Sequence, residues 1–285
     1  MDILANPAQV RERCYDAFRR RVTVALVPTM GYLHAGHESL LRYAREHADL
    51  VVTSVFVNPT QFGPGEDLDA YPRDLEHDAA VAKAAGVDIL FTPSPEAMYR
   101  PGAATWVEVP SLANHLCGLT RPIHFRGVCT IVSKLFLLTL PTIAVFGQKD
   151  WQQAAILRRM TADLGFPVTV VARPIVREAD GLALSSRNVY LSPAERSQAV
   201  HINQGLALAE RLAGDGERDA GRILAAVREY FAAHMPDGTI DYLECVAPEQ
   251  LTAKERLDGP VLFAAAIRFP GARLIDNRLV GGDPA

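Results

Sequence analysis

The chain has 285 residues, of which 49% are hydrophobic and 22% are charged, and its formal net charge is −4. This composition excludes disordered and fibrous classes, and the length allows one large core or two smaller ones. The net negative charge gives no positive electrostatic field that would attract nucleic acid or a membrane surface. No apolar run approaches the roughly 20 residues of a membrane-spanning helix.

The first half of the chain alternates apolar strands with amphipathic helices. Strands are predicted at 22–27, 50–57, 87–91, 105–109, 143–146 and 168–171, and helices at 7–20, 36–47, 72–85, 127–140 and 151–164. This alternation predicts an α/β, Rossmann-like parallel sheet with helices on both faces, in a domain at 1–175. Ligands of such sheets bind beyond the carboxyl ends of the strands.

The pattern changes near residue 175. Ser192-Pro193-Ala194-Glu195 is a capping box with proline at the first helical position. Helices are predicted at 193–213 and 218–234, and short strands at 240–246, 262–267 and 273–276. We therefore expect a smaller C-terminal α+β domain at 176–285.

Four cysteines lie far apart in the sequence, with no C-x-x-C pattern and no Cys/His cluster. This usage indicates reduced thiols rather than disulfides or a zinc site. The first residues are acidic and polar, unlike a signal peptide, so a cytoplasmic protein is expected.

The segment Pro28–His37 joins the first long strand to a helix through a loop that contains Gly31. His34 and His37 lie three residues apart where the helix begins. Free backbone N–H groups at that position favour an anion by about 0.3–1 kcal/mol per charge, and imidazoles can donate hydrogen bonds to phosphate oxygens. The alternative is an ordinary turn with two surface histidines.

A second strand-to-helix junction contains Lys149 and Asp150. Lys149 is placed to meet phosphate, and Asp150 can accept hydrogen bonds from ribose hydroxyls. The alternative is structural, because Asp150 with Gln153 three residues later also fits a capping box.

Two polar segments have similar ambiguity. Ser185, Ser186 and Arg187 suit phosphate oxygens and the charge that develops as pyrophosphate leaves, but they also fit a polar linker. Asn58 and Gln61 can form hydrogen bonds with the hydroxyl or carboxylate of a small substrate, or they can be turn residues around a proline.

Other segments have mainly structural interpretations. Tyr71-Pro72-Arg73 predicts the start of a helix, and Trp106 and Trp151 are interpreted as packing residues. The segment 121–127 places two arginines and a histidine at a helix entrance, with no assigned role.

Together, His, Lys, Ser and Arg side chains are concentrated on loops that leave the strands of one sheet. This arrangement predicts a mononucleotide triphosphate site. The sequence has no G-x-x-x-x-G-K-[ST] segment, which excludes a P-loop, and no G-x-G-x-x-G after a strand.

The colinear blocks resemble the pantothenate synthetase (pantoate–β-alanine ligase) family over essentially the whole chain. The matching blocks are 28–37, 58–64, 71–73, 121–128, 146–153 and 181–188. The H-x-G-H signature at His34–His37 is similar to that of the wider nucleotidyltransferase superfamily. Ala35 and Leu184 depart from the residues that many family members carry there.

The resemblance implies ATP-dependent condensation of (R)-pantoate with β-alanine through a pantoyl adenylate, with release of AMP and pyrophosphate. It implies that Mg²⁺ enters with ATP and is bound mainly by phosphates, so no protein metal site is expected. It also implies a homodimer in which the smaller domain acts as a lid over the nucleotide.

The resemblance also implies roles for single residues. His34 and His37 would polarise the triphosphate, with His37 as proton donor. The residues implied to hold phosphates during adenylation are Lys149, Ser185, Ser186 and Arg187. Those implied around the rest of ATP are Met30, Gly31, Gly147, Asp150 at the ribose, Val176 beside the adenine, and Leu184. Those implied to bind pantoate are Asn58, Gln61 and Gln153, with Gln61 also near the amine of β-alanine.

Two other functions remain open on the residues alone. One is transfer of AMP to a phosphate acceptor, which would leave Asn58, Gln61 and Gln153 without a role. The other is a nucleotide-sensing module without catalysis, against which the complete set of His34, His37, Lys149 and Arg187 argues.

Overall fold

Two sheets organise the computed structural model, which describes residues 1–282. The strands are β1 (Asp2–Leu4), β2 (Val24–Thr29), β3 (Leu50–Val55), β4 (Ile89–Phe91), β5 (Ile143–Gly147), β6 (Thr169–Arg173), β7 (Thr239–Val246), β8 (Val261–Arg268) and β9 (Arg273–Val280). The helices are α1 (Pro7–Arg19), α2 (Ala35–His47), α3 (Leu75–Ala84), α4 (Pro95–Met98), α5 (Pro110–Ala113), α6 (Cys117–Thr120), α7 (His124–Thr139), α8 (Trp151–Asp163), α9 (Pro193–Gly214) and α10 (Ala220–His234).

The larger sheet is parallel throughout, with the strand order β1-β4-β3-β2-β5-β6. The order reverses between β2 and β5, which lie side by side although they are far apart in sequence. At such a point the loops after the two strands run to opposite faces and open a crevice at the carboxyl edge. The predicted parallel fold is confirmed, and the segments after β2 and β5 border this crevice.

Helices cover both faces of the sheet. Successive strand residues point to opposite sides, so a continuous apolar strand makes both faces apolar and both must be buried. Ala25 and Val27 pack in one buried cluster with Leu41 of α2. Leu26 packs on the other side, in a cluster with Phe136 of α7. The near-continuous apolar strands of the sequence are thus buried on both faces.

The strand predicted at 105–109 is wrong, since this segment has no regular secondary structure and no strand partner among residues 1–282. The Val107 amide instead donates to Thr130 Oγ1 of α7 (3.1 Å). Trp106 is not a core residue either, because it is 42% exposed and stacks under the Arg126 guanidinium (4.8 Å). Trp151 does pack, in the large core cluster.

Two further elements differ from those predicted. Helix α3 begins at Leu75 with Asp74 as its N-cap, so Pro72 lies before the helix rather than in its first turn. The edge strand β1 is missing from the predicted elements, because three residues that include one apolar pair carry too little pattern to be recognised.

The smaller unit consists of the antiparallel sheet β7-β8-β9 and the helices α9 and α10. Along β8, Phe263 and Ile267 pack with those helices, whereas Leu262 and Ala264 belong to the core cluster beside the parallel sheet. The α+β prediction is confirmed, and β8, the central strand of the small sheet, is buried on both faces. No helix within residues 1–282 combines the length and apolarity needed to cross a bilayer.

Candidate active site

A cavity of about 220 Å³ lies at the carboxyl edge of the parallel sheet, at the β2–β5 crevice. Its walls come from the loops after four strands and from the segment before α9. The predicted site residues that line it are Met30, His34, His37, Asn58, Gln61, Gly147, Lys149, Asp150, Gln153, Val176, Leu184, Ser185, Ser186 and Arg187. Segments that are far apart in the sequence therefore converge on one space.

Gly31 is the predicted site residue that does not line this cavity; it borders a neighbouring one. Its φ of +91° lies in the left-handed region, and an added Cβ would stand 2.9 Å from both Asp78 Oδ2 and Val55 Cγ1. Glycine is therefore required here by the turn and by close packing.

The two histidines cap α2 with their own rings. The Gly36 amide donates to His34 Nδ1 (3.1 Å), and the His34 amide donates to His37 Nδ1 (3.3 Å). Since each Nδ1 accepts a hydrogen bond, each neutral ring carries its proton on Nε2. The helix cap thus selects the tautomer that presents an N–H donor.

The surroundings of both imidazoles favour the neutral form. Burial, followed by the charge of Lys149, lowers the pKa of His34 to about 4. Burial also holds the pKa of His37 well below its ordinary value, with His34 and Lys149 acting in the same direction. The two rings lie 4.1 Å apart between centroids, so neutrality avoids repulsion while both remain hydrogen-bond donors.

Stability is expected to fall as the pH decreases from 7 to 5. His34 and His124 both have a pKa lowered from 6.5 to about 4, chiefly by burial. Between these values the unfolded chain takes up protons that the folded chain does not, so the stability present above pH 6.5 is lost toward pH 4. Urea unfolding at pH 7, 6 and 5 measures this, and His124→Gln should make the decline shallower. An unchanged pH dependence in that variant would contradict the assignment.

Lys149 and Asp150 leave β5 at the other side of the crevice. Lys149 Nζ lies 3.9 Å from Asp150 Oδ2, and the backbone carbonyl of Lys149 accepts a hydrogen bond from Asn277 Nδ2 (2.9 Å). The C-terminal sheet therefore fixes the backbone on which the lysine stands. The capping-box alternative is wrong, because the Asp150 side chain makes no cap hydrogen bond.

Arg187 is already paired with a carboxylate from a distant loop. Its Nε and Nη2 donate to Asp67 Oδ2 (2.8 Å) and Oδ1 (2.9 Å), and its guanidinium lies over the Tyr71 ring (5.5 Å). The Tyr71 hydroxyl lies 3.0 Å from Ser186 Oγ. Burial alone would raise the pKa of Asp67, but Arg187 outweighs it and holds that pKa below its ordinary value. Asp67 is thus bound to Arg187 at the position where the sequence predicts a phosphate.

On the sequence prediction that Arg187 binds the triphosphate, Asp67→Asn is expected to lower the KM for ATP roughly two- to fivefold, since a partly exposed ion pair is worth about 0.2–1 kcal/mol. The neutral amide would compete with the triphosphate for Arg187 less well than the carboxylate does. Steady-state kinetics at fixed Mg²⁺ measures the effect. Asp69→Asn is the matched control, because Asp69 is exposed on the same loop. An increase in KM would mean that Asp67 positions Arg187 instead of competing for it.

Asn58 and Gln61 form one hydrogen-bonded unit after β3. Asn58 Nδ2 donates to Gln61 Oε1 (3.0 Å) and to the Gly127 carbonyl (3.2 Å), and its Oδ1 accepts from the Tyr99 hydroxyl (2.8 Å). A Cβ on Gly127 would stand 2.5 Å from the Thr60 carbonyl oxygen, so only glycine lets α7 approach this closely. Asn58 therefore fixes the orientation of Gln61 while lining the cavity.

The unassigned segment 121–127 contributes a further polar wall. Arg121 makes two hydrogen bonds to Glu66 (2.8 and 2.6 Å), and His124 Nδ1 lies 3.0 Å from the Gln61 carbonyl oxygen. Both side chains line the cavity. Sequence reasoning singled out the segment without a role, and it missed Glu66 and Asp67 because acidic loop residues resemble a solvated turn.

Comparisons with known proteins agree over nearly the full length. A family model described as pantoate-beta-alanine ligase matches residues 2–279. A pantothenate synthetase from Solidesulfovibrio magneticus is 69% identical over 284 residues, covering 100% of both chains. The crystal structure of a pantothenate synthetase from Thermus thermophilus matches with a TM-score of 0.93 and 48% identity, covering 98% of this chain and 99% of the other. A pantoate-beta-alanine ligase from Francisella tularensis, complexed with beta-gamma ATP and beta-alanine, matches with a TM-score of 0.81 and 29% identity, covering 100% of both.

Proposed function

Because the chain belongs to the pantoate–β-alanine ligase family, we propose that the cavity at the β2–β5 crevice binds ATP and pantoate side by side. The protein is an ATP-dependent ligase that forms pantothenate from (R)-pantoate and β-alanine, with pantoyl adenylate as intermediate. The observation that carries the site proposal is that His34, His37, Lys149 and Arg187 line one cavity.

The chemistry proceeds in two displacements. A carboxylate oxygen of pantoate attacks the α-phosphorus of ATP, the bond to the bridging oxygen of the β-phosphate breaks, and pyrophosphate leaves. The amine of β-alanine then attacks the acyl carbon, the carbon–oxygen bond to the phosphate breaks, and AMP leaves as the amine loses a proton. Adenylation is needed because a free carboxylate is a poor acyl donor. The protein aligns the reactants and stabilises charge on the phosphates.

The cationic and N–H groups are proposed to act on the triphosphate. The Nε2–H groups of His34 and His37 donate to phosphate oxygens as neutral rings, and contact with the anion raises their low pKa values toward a proton-donating range. Lys149 neutralises the charge on the reacting phosphate. Arg187 exchanges Asp67 for the leaving pyrophosphate, with Ser185 and Ser186 beside it.

The nucleoside and pantoate are proposed to occupy opposite parts of the cavity. Gly147, the Met30 backbone, Asp150, Val176 and Leu184 surround the nucleoside, with Asp150 at the ribose. Gln61 and Gln153 contact the hydroxyls and carboxylate of pantoate. Asn58 keeps Gln61 in place, because its own amide is engaged on both sides.

Mg²⁺ is proposed to enter as part of the MgATP substrate and to be held mainly by phosphate oxygens. Residues 1–282 contain no group of three or more His, Cys, Asp or Glu side chains arranged for a metal ion.

Residues 1–175 are proposed as the nucleotide- and pantoate-binding domain, with 176–285 as a lid. Support comes from the segment Leu184–Arg187, which lines the cavity from the C-terminal side of that boundary.

A homodimer in the cytoplasm is the proposed state of the enzyme. The segment 105–109 carries an exposed Trp106 and a β-type sequence without a partner strand in the described chain, as an interface segment would. Cys14, Cys117, Cys129 and Cys245 are all buried and free, which suits a reducing compartment. Sedimentation equilibrium of the wild type and of Trp106→Ser measures the oligomeric state.

The product assay tests the function directly. The enzyme is mixed with MgATP, pantoate and β-alanine, and each component is omitted in turn. AMP and pantothenate should appear together only in the complete mixture. ADP as the product would contradict the proposal. Pyrophosphate released with a phosphate-containing acceptor, and without free AMP, would favour nucleotidyl transfer instead.

A further inference from the structure

A buried carboxylate on α3 binds the loop that leads into the histidine cap. Asp78 is 1% exposed. Its Oδ2 accepts from the Tyr32 amide (3.0 Å), and its Oδ1 accepts from the Leu33 amide (2.6 Å). The neighbouring His77 places Nε2 2.9 Å from the Leu33 carbonyl oxygen. Adjacent residues of one helix thus hold both N–H groups and a carbonyl of this loop.

The loop needs such a partner because of its backbone. Gly31 and Tyr32 have φ values of +91° and +53°, two successive left-handed residues of which only the first is glycine. Left-handed tyrosine is strained and persists only where surrounding contacts determine it. In this conformation the amides of Tyr32 and Leu33 have no strand or helix partner, so the Asp78 carboxylate satisfies both.

Asp78 does not line the cavity proposed for the substrates. It borders the neighbouring cavity, together with Gly31, and not the one that holds His34 and Lys149. Any effect of this carboxylate on catalysis must therefore pass through the loop. Leu33 directly precedes His34, whose ring both caps α2 and lines the cavity proposed for the triphosphate.

We infer that Asp78 is a positioning residue for adenylation, which fixes the loop 31–33 so that the Nε2–H groups of His34 and His37 face the phosphates. The inference rests on the proposed role of the two histidines. A carboxylate accepts from two amides at once with separate oxygens. An asparagine at this position has one oxygen and turns an N–H₂ group toward a backbone N–H.

The test is the pantoate-dependent exchange of pyrophosphate into ATP, which reports adenylation alone. Asp78→Asn is expected to lower kcat for exchange about tenfold or more, since one misdirected hydrogen bond changes a barrier by that order. The KM for pantoate should stay within about twofold. Asp74→Asn is the matched control, because Asp74 caps the same helix one turn earlier and asparagine also caps well.

A double-mutant cycle separates positioning from general stability. If Asp78 acts through the histidines, the fold loss caused by Asp78→Asn should be smaller in the His34→Ala background than in the wild type, because only His37 is then left to be positioned. The inference is overturned if the fold losses of Asp78→Asn and His34→Ala multiply in full in the double variant. It is also overturned if Asp78→Asn is less stable in urea but keeps an unchanged kcat. If Asp78→Asn does not fold, His77→Ala removes only the contact to the Leu33 carbonyl. Its kcat should fall roughly two- to fivefold, and an unchanged value overturns the inference.

Measuring pyrophosphate exchange in His34→Ala and His37→Ala as well distinguishes failure of the proposed site from failure of the positioning role. Normal exchange in both histidine variants would refute the proposed site itself. Reduced exchange in those variants together with normal exchange in Asp78→Asn would refute only the positioning role.

Discussion

Replacing His37 with alanine is expected to lower the rate of adenylation by about 10²–10³-fold, the range typical for loss of one preorganised donor at developing charge. The His37 ring lines the cavity, and its Nδ1 accepts the His34 amide, so the Nε2 proton is available to the phosphate. The chain should remain folded, because the lost cap bond is one of many contacts of α2. Pantoate-dependent pyrophosphate exchange measures the rate, and circular dichroism the fold.

Two other substitutions at this position separate capping from catalysis. Asparagine places an acceptor near the position of Nδ1 and should restore the cap without restoring exchange. Glutamine reaches the position of Nε2 with an N–H₂ donor and should recover part of the activity. If asparagine restored exchange as well as glutamine, the role of His37 would be structural.

Lys149→Ala is expected to lower adenylation by about 10²-fold or more, because an ammonium group in a partly buried site is the main neutralising charge after β5. The side chain is 23% exposed and its nearest carboxylate is Asp150, at 3.9 Å, so no strong ion pair restrains it from a phosphate. Single-turnover formation of pantoyl adenylate measures the effect.

Lys149→Arg should retain part of the activity, since the charge is kept while the geometry changes. Lys83→Ala is the control, because Lys83 lies exposed in the last turn of α3. A loss that appears only in the KM for β-alanine would place Lys149 in the second displacement instead.

The elements that carry long periodic patterns could be predicted from the sequence. The strand after residue 22 and the helix with Leu40, Leu41 and Ala44 are examples, because burial on a sheet face imposes a pattern on many residues at once. The segment 105–109 has the composition of a strand but no partner in the described chain. Composition reports the tendency to be extended, whereas a strand also requires a neighbour.

The candidate site was predictable where residue type and chain position both carried information. His34, His37 and Lys149 follow strands of a parallel sheet, and the topology brings the ends of those strands together. Asp67 and Asp78 were not predictable. Their partners lie 120 and 46 residues away in sequence. The sequence around an isolated aspartate in a loop or helix does not indicate which distant residue it will bind.

By itself, therefore, the sequence determined the parallel sheet, the smaller α+β unit and the residue types that line the candidate site, because hydrophobic periodicity and strand-to-helix junctions are local properties. Only the tertiary structure decided which nitrogen of each histidine faces the cavity, that Arg187 is held by Asp67, and that Asp78 supports the loop before His34. Hydrogen bonds have directions and reach only about 3 Å, so their partners are fixed after distant segments have packed.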